Sequence, residues 1–417
     1  MRILFLNTGT SRNMGDRAML MNVCDRILRK QIENDFLSVS DLPNEIKDEL
    51  HITTIPNLSN CWGRYSALKL PSFLEPTLKP IYIALSTLIV ATLLHAPRFF
   101  LSKAHITEAE IATRIRASDA VWMNGGGYLT DEGTLEARDR LLMALLAYLS
   151  GKPVVLTGQG IGPIKTTVTR VLLKLVIAKA QILYTRDHKS YELALKLSPQ
   201  NAKRIKPGFD DAGSMAILEQ PAPKPPQKKI IGIHFRLSKF HSQATAYENA
   251  IFLAVKNLVE REVQVKLFCF HENQEYEIST YKKWSDRLHN NSFLEIVSTP
   301  DPRVIRGHID ICDACIGSAY HFVLFSLLSS KPVRAISSGA YYQQKFEGLE
   351  KHFGVQDISI QADKLNTAII LHFLNSAMGH ESGHKKTTNE SVLADITNRQ
   401  IDEAYSIITQ RILEMRT

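Results

Sequence analysis

Cysteine is scarce: five in 417 residues, an odd number at irregular spacing. That excludes a disulfide framework and points to a reducing compartment. Cys312 and Cys315 form a C-x-x-C. Zinc would need two further ligands and redox use would need a helix start, whereas 311–316 reads as a buried strand, so the pair is read as structural. A concentrated basic tract is also lacking. The net charge of +8 is spread along the chain, which suits an anionic small substrate or an anionic membrane surface, with no nucleic-acid partner. Neither Walker nor dinucleotide glycine spacing occurs. No signal peptide is seen, because Met1 leads straight into the strand-like run 2–6, and the chain is expected to work in the cytoplasm. No apolar run reaches the roughly 20 residues that span a bilayer. The nearest, 81–94, lies in a stretch with no charge between Lys79 and His95. A buried helix is its first reading. The second is an interfacial helix, flanked by Lys69, Lys79, Arg98 and Lys103, in peripheral contact with the inner face of the plasma membrane.

What is present is an ordinary globular balance, 44% hydrophobic and 22% charged, in a chain long enough for two domains. Short apolar runs at 3–6, 120–123, 154–157 and 182–184 read as parallel strands. Amphipathic runs at 16–29, 135–149, 166–180 and 188–197 read as the helices joining them. The stretch 221–229, PAPKPPQKK, resists packing and reads as a linker between an N-terminal α/β domain, 1–220, and a C-terminal one, 230–380. In the second half, strands are expected at 230–235, 263–270, 294–297, 309–316 and 332–336, with helices at 247–261 and 321–329. A polar loop and a last helix, 401–415, occupy the remainder. The expected fold class is therefore α/β, two Rossmann-like domains facing each other across a cleft that holds the active site.

Chemistry-bearing residues fall where strands should end. Asn7–Asp16 follows the first strand and opens a helix, a place where backbone N–H groups meet an anion; an Asx-type helix cap by Asn13 or Asp16 is the alternative. Asn124-Gly125-Gly126-Gly127 and Gly158-Gln159-Gly160-Ile161-Gly162-Pro163 follow two further strands, their glycines leaving room for a ligand against backbone. Arg186-Asp187 reads equally as a structural pair or a ligand contact. In the second half, His234 and Arg236 close a strand. Ser318 and His321 lie at a helix start, where an imidazole can move protons and the positive helix end attracts anions. Tyr342 and Lys345 follow the next strand.

Taken together, N-x-G-D-x-A at 13–18, Gly-Gly-Gly at 125–127, G-Q-G-I-G-P at 158–163, R-D-x-x-S at 186–190 and the late His with Y-x-x-K resemble the polysaccharide pyruvyl transferase family over nearly the whole chain. The resemblance implies a glycosyltransferase-B-like architecture, phosphoenolpyruvate as co-substrate, no other cofactor, no metal, and a saccharide or glycolipid acceptor in cell-surface polysaccharide synthesis. His321 falls on the family's catalytic histidine, Lys345 on its Y-x-x-K lysine, and Arg236 near a donor-binding arginine. On this reading His321 and Asp16 are catalytic. Arg236, Lys345, Ser318, Tyr342, His234 and Arg334 bind the donor; Asn13, Gly15, Gly126, Gly127, Gln159 and Arg186 bind the acceptor. One departure stands out: the family has Arg-x-His where this chain has Ala319-Tyr320-His321. The missing guanidinium would grip a carboxylate or phosphate, and Arg334 or Arg236 are the substitutes in sequence. Two rivals share the pattern, a nucleotide-sugar glycosyltransferase and a non-catalytic sugar-binding member of a polysaccharide assembly complex.

Overall fold

The computed structural model describes residues 1–6, 13–30, 33–39, 42–61, 75–97, 106–217, 229–236, 244–271, 275–379 and 389–416. The proposed loop residues 7–12, most of the linker and the polar loop 380–388 lie outside these, as do Lys69, Arg98 and Lys103.

The strands are β1 (Arg2–Phe5), β2 (Asp35–Ser38), β3 (Ile52–Thr54), β4 (Ala120–Met123), β5 (Gly126–Leu129), β6 (Val154–Ile161), β7 (Ile182–Thr185), β8 (Ile205–Pro207), β9 (Ile230–His234), β10 (Gln264–Phe268), β11 (Leu294–Val297), β12 (Ala314–Gly317), β13 (Val333–Ser337) and β14 (Ser359–Gln361). The helices are α1 (Met14–Leu28), α2 (Asn44–Leu50), α3 (Glu75–Leu93), α4 (Thr107–Ala117), α5 (Thr134–Leu149), α6 (Thr167–Lys179), α7 (His188–Leu197), α8 (Ala244–Glu260), α9 (Glu275–Arg287), α10 (Pro302–Asp310), α11 (Tyr320–Leu328), α12 (Ala340–Phe353), α13 (Thr367–Gly379) and α14 (Asn389–Arg416).

Strands and helices alternate, and the strands assemble into two parallel sheets. One runs β3-β2-β1-β4-β6-β7-β8 with β5 on β6; the other runs β11-β10-β9-β12-β13-β14. This is the expected α/β class of two Rossmann-like domains. Two compact groups result. The first holds 1–11, 19–212 and 396–417, and the second holds 12–18 and 213–395, so α1 and α14 each begin in the second and end in the first. The last helix is longer than its sequence pattern indicated. Its Ile401, Ala404, Tyr405 and Ile408 are buried in the cluster around Phe5 and Trp122, which is why 396–417 counts with the first sheet.

Several expectations need correcting. The strand read at 309–316 begins only at Ala314; Asp301 caps α10 by accepting from Arg303 N–H, Pro302 fills its first turn, and Ile305 and Ile309 are buried one helical turn apart. The loops read after the first-sheet strands are strand in part. Gly126–Leu129 is β5, and β6 runs on through 158–161, with Gly126 opposite Gln159 and Leu129 opposite Ile161. Gly158, at φ +58°, lets the strand kink and continue where a side-chain-bearing residue would be strained. All five cysteines are free and buried, and burial pushes the Cys312 thiol well up, in keeping with a structural C-x-x-C.

Candidate active site

In a parallel sheet, ligands bind beyond the carboxyl ends of the strands, at the point where the strand order reverses. In the second sheet that point lies between β9 and β12. His234 ends β9 and Ser318 follows β12 directly; the next strand, β13, leads into α12 with Tyr342 and Lys345. Three adjacent strands thus lead into four of the residues singled out from the sequence.

Their local bonding is continuous. Ala319 N–H donates to His234 Nδ1 at 3.2 Å, with Ser318 Oγ 3.4 Å from the same nitrogen. That leaves the ring proton on Nε2, which faces Glu277 Oε1 at 3.5 Å. Glu277 is almost wholly buried, and its other oxygen accepts from Phe270 N–H at 2.8 Å and His271 N–H at 3.2 Å. Burial alone would raise its pKa. The His234 ring facing it, the Phe270 amide and the Arg236 charge outweigh burial and hold the carboxyl below its ordinary range. Tyr247 is buried, and burial pushes its hydroxyl up, partly offset by the neighbouring Ser318. Glu277 and Tyr247 were not read from the sequence as site residues. Neither lies near a strand tip in sequence, and helices α9 and α8 carry them in.

His321 sits in the first turn of α11 at 8% exposure, edge-on to Tyr320 with centroids 5.0 Å apart. Its ring lies against the first turn of α1. A Cβ on Gly15 would fall 1.8 Å from His321 Nδ1, so the motif glycine is there because backbone and imidazole touch. Asn13 Oδ1 accepts Gly15 N–H at 3.0 Å, the Asx-type arrangement read as its alternative, and the residue bridges to His271. Asp16 is half-buried in the same turn. Arg236 is exposed just beyond β9. The Lys345 ammonium lies 3.9 Å from the Tyr341 ring centre and 5.3 Å from that of Tyr342, held by the electron-rich faces of both. Arg334 is a correction to the donor set. It stands near the start of β13, donates to the Asp357 carbonyl and packs 5.1 Å from the Phe373 ring centre, so its guanidinium is engaged away from the strand ends.

The first sheet is different in kind. Gln159, with no exposed surface, donates to the carbonyls of Met123, Asn124 and Thr157 at 2.8–3.1 Å. Arg186 is 3% exposed and paired with buried Asp210 at 3.3 Å. Both hold strand ends together, while the buried Gln159 Oε1 makes no hydrogen bond. Asp187 caps α7 by accepting Ser190 N–H at 2.8 Å. Gly126 is buried within β5 and Gly127 half-buried beside it. The residue that organises this region is Asp211. It accepts Gly125 N–H at 2.6 Å, the Thr157 hydroxyl at 2.7 Å and Gln400 Nε2 at 2.7 Å, while its own carbonyl takes Asn22 Nδ2 at 2.6 Å. Burial, with the neighbouring Asp210 charge adding to it and these donors opposing, pushes its pKa up to about 7. At the first sheet's reversal point, between β1 and β4, the buried Asn124 amide makes no hydrogen bond through either terminal atom. Among the described residues, no group of three His, Cys, Asp or Glu could hold a metal ion.

Two parallel Rossmann-like sheets with polar groups gathered at strand ends define a glycosyltransferase-B-like α/β protein. The same fold occurs in a UDP-N-acetylglucosamine 2-epimerase described as putative from Listeria monocytogenes, at TM-score 0.60 and 12% identity, covering 98% of this chain and 97% of that one. It also occurs in the UDP-GlcNAc 2-epimerase of Neisseria meningitidis bound to UDP-GlcNAc, at TM-score 0.57 and 13% identity over 99% and 100% of the two chains. The model of the polysaccharide pyruvyl transferase family matches residues 13–339, and this chain belongs to that family of transferases. It is also 23% identical to the amylovoran biosynthesis protein AmsJ of Erwinia amylovora, over 91% of this chain and 92% of that protein.

Proposed function

We propose that the protein transfers a pyruvyl group from phosphoenolpyruvate to a saccharide of a cell-surface polysaccharide, the acceptor being lipid-linked or polymeric. The observation that carries this reading is the meeting of His234, Ser318, Tyr342 and Lys345 at adjacent strand ends of the second sheet, with His321 in the same helix start as Ser318. His321 delivers a proton to the methylene carbon of the donor, turning it into a methyl group. An acceptor hydroxyl adds to the neighbouring carbon, inorganic phosphate leaves, and a second hydroxyl closes the cyclic ketal with loss of a proton. Arg236 and Lys345 neutralise donor charge. The Glu277–His234–Ser318 line holds the backbone that carries Ala319 in place. Asp16, in the helix turn that touches His321, is assigned to the saccharide. The steps use no metal and no further cofactor, and a donor drawn from central metabolism puts them in the cytoplasm.

The test is phosphate release from phosphoenolpyruvate in the presence of candidate glycolipids. Turnover by the wild type that is lost in His321→Ala is the expected result. Undiminished turnover in that variant removes the histidine from the mechanism. Ala319, in place of the family arginine, favours one second reading, a sugar-binding member of an assembly complex without catalysis. Saccharide binding with no turnover of phosphoenolpyruvate would establish that reading. Thermal stabilisation by a nucleoside diphosphate but not by phosphoenolpyruvate would instead point to a nucleotide-sugar enzyme.

A further inference from the structure

A helix that is apolar all round is normally buried, and α3 is not. Ile83, Ser86, Val90 and Leu94 are buried in the core. On the opposite face, at helical spacing, Ile81, Leu85, Leu88 and Ile89 are 51, 47, 66 and 38% exposed. A second helix on the same face of the first sheet repeats the pattern. Leu173, Val176 and Ile177 of α6 join that same core, while Val168, Val171 and Leu175 point outward at 54, 51 and 44% exposure. Helix α5 packs against both, and its end adds exposed Leu149 and Tyr148, the latter with Lys179 Nζ 5.0 Å from its ring centre. Among the described residues, no helix is long and apolar enough to cross a membrane.

The charge of the surrounding sequence is one-sided. Between Asp139 and Asp187 the chain has no acidic residue, yet it carries Arg140, Lys152, Lys165, Arg170, Lys174, Lys179 and Arg186. Lys165, Arg170, Lys174 and Lys179 are exposed, in or just ahead of α6. From 62 to 105 the sequence has one acid, Glu75, against Arg64, Lys69, Lys79, Arg98 and Lys103. Exposed aliphatic rows edged by lysine and arginine, with no carboxylate in α6 and Glu75 alone in α3, match the boundary of an anionic bilayer. There the apolar side chains enter the acyl region and the cations stay with the headgroups. A second protein copy would need no such sign bias.

We infer that the outer face of α3 and α6 docks peripherally on an anionic membrane. This inference goes beyond the proposed transfer and does not require it, since docking needs no turnover. The test is flotation of the full chain with vesicles of phosphatidylcholine alone or mixed with phosphatidylglycerol. The wild type is expected to float with the mixed vesicles, less with phosphatidylcholine alone, and less in high salt. Leu85→Ser combined with Leu88→Ser should weaken association at least about tenfold, and Arg170→Glu with Lys174→Glu roughly fivefold or more per charge on the mixed vesicles only. All four sites are exposed, so unfolding midpoints should stay near the wild type, and turnover of a water-soluble acceptor should be unchanged in both double variants. A wild type that stays with the lipid-free fraction, or variants that float as well as it does, would overturn the inference. So would a dimer in size exclusion that Leu85→Ser/Leu88→Ser turns into monomer without any flotation of the wild type.

Discussion

The ends of the two sheets carry similar residue types and use them differently. In the first sheet, Gln159, Arg186, Thr157 and Asp211 are buried and bonded to one another's strands. In the second, Ser318, Tyr342, Lys345 and Arg236 keep solvent access around a buried His234–Glu277 pair. Glycine, amide and guanidinium at a strand end therefore do not by themselves mark a binding site. What distinguishes the residues is how far each is bonded within the fold: Gln159 Nε2, Arg186 and Asp211 are engaged, whereas the buried Asn124 amide at the first sheet's reversal point is not.

The contact that most sharply joins sequence motif to chemistry is Gly15 against His321. Gly15→Ala forces the imidazole or the first turn of α1 to move. Steady-state kinetics should show kcat reduced on the order of a hundredfold, with overpacking lowering stability by about 1–3 kcal/mol. Full activity in this variant would detach the motif from the histidine. The first sheet should respond through stability. A free aspartate titrates near 4, while folded Asp211 titrates at about 7. Between those values the folded chain holds a proton that the unfolded chain lacks, so this group's contribution is complete in acid and declines as pH rises towards 7. Over that window the loss is on the order of 4 kcal/mol. Midpoints of thermal unfolding measured across it should flatten in Asp211→Asn relative to wild type. The smallest effect is expected at Arg334. Replacing it by Ala removes the contact with Phe373, about 0.5–1 kcal/mol, and should leave the KM for phosphoenolpyruvate within about twofold. A large rise in that KM would restore Arg334 to the donor site.

Much of this was legible in the chain itself. Alternating apolar runs announced two parallel sheets, and His234, Ser318, His321, Tyr342 and Lys345 could be picked out because each follows a strand. The extension of β6 through its glycines was not legible, since a kink at Gly158 has the same local signature as a loop. Arg334 looked like a free cation, and Arg186 read equally as a structural pair or a ligand contact, because sequence shows charge but not partner. Glu277 and Tyr247 were missed because they sit inside helices that read as ordinary packing segments.

By itself the sequence determined the alternation of strands and helices, the motif order and the charge bias of the α3 and α6 region, all properties of neighbouring residues or of composition. Only tertiary structure decided which polar groups are spent in the core and which remain available, and which apolar rows stay outside. Hydrogen-bond partners and buried surface come from residues as remote as Asp211 and Gln400, whose pairing no local pattern encodes.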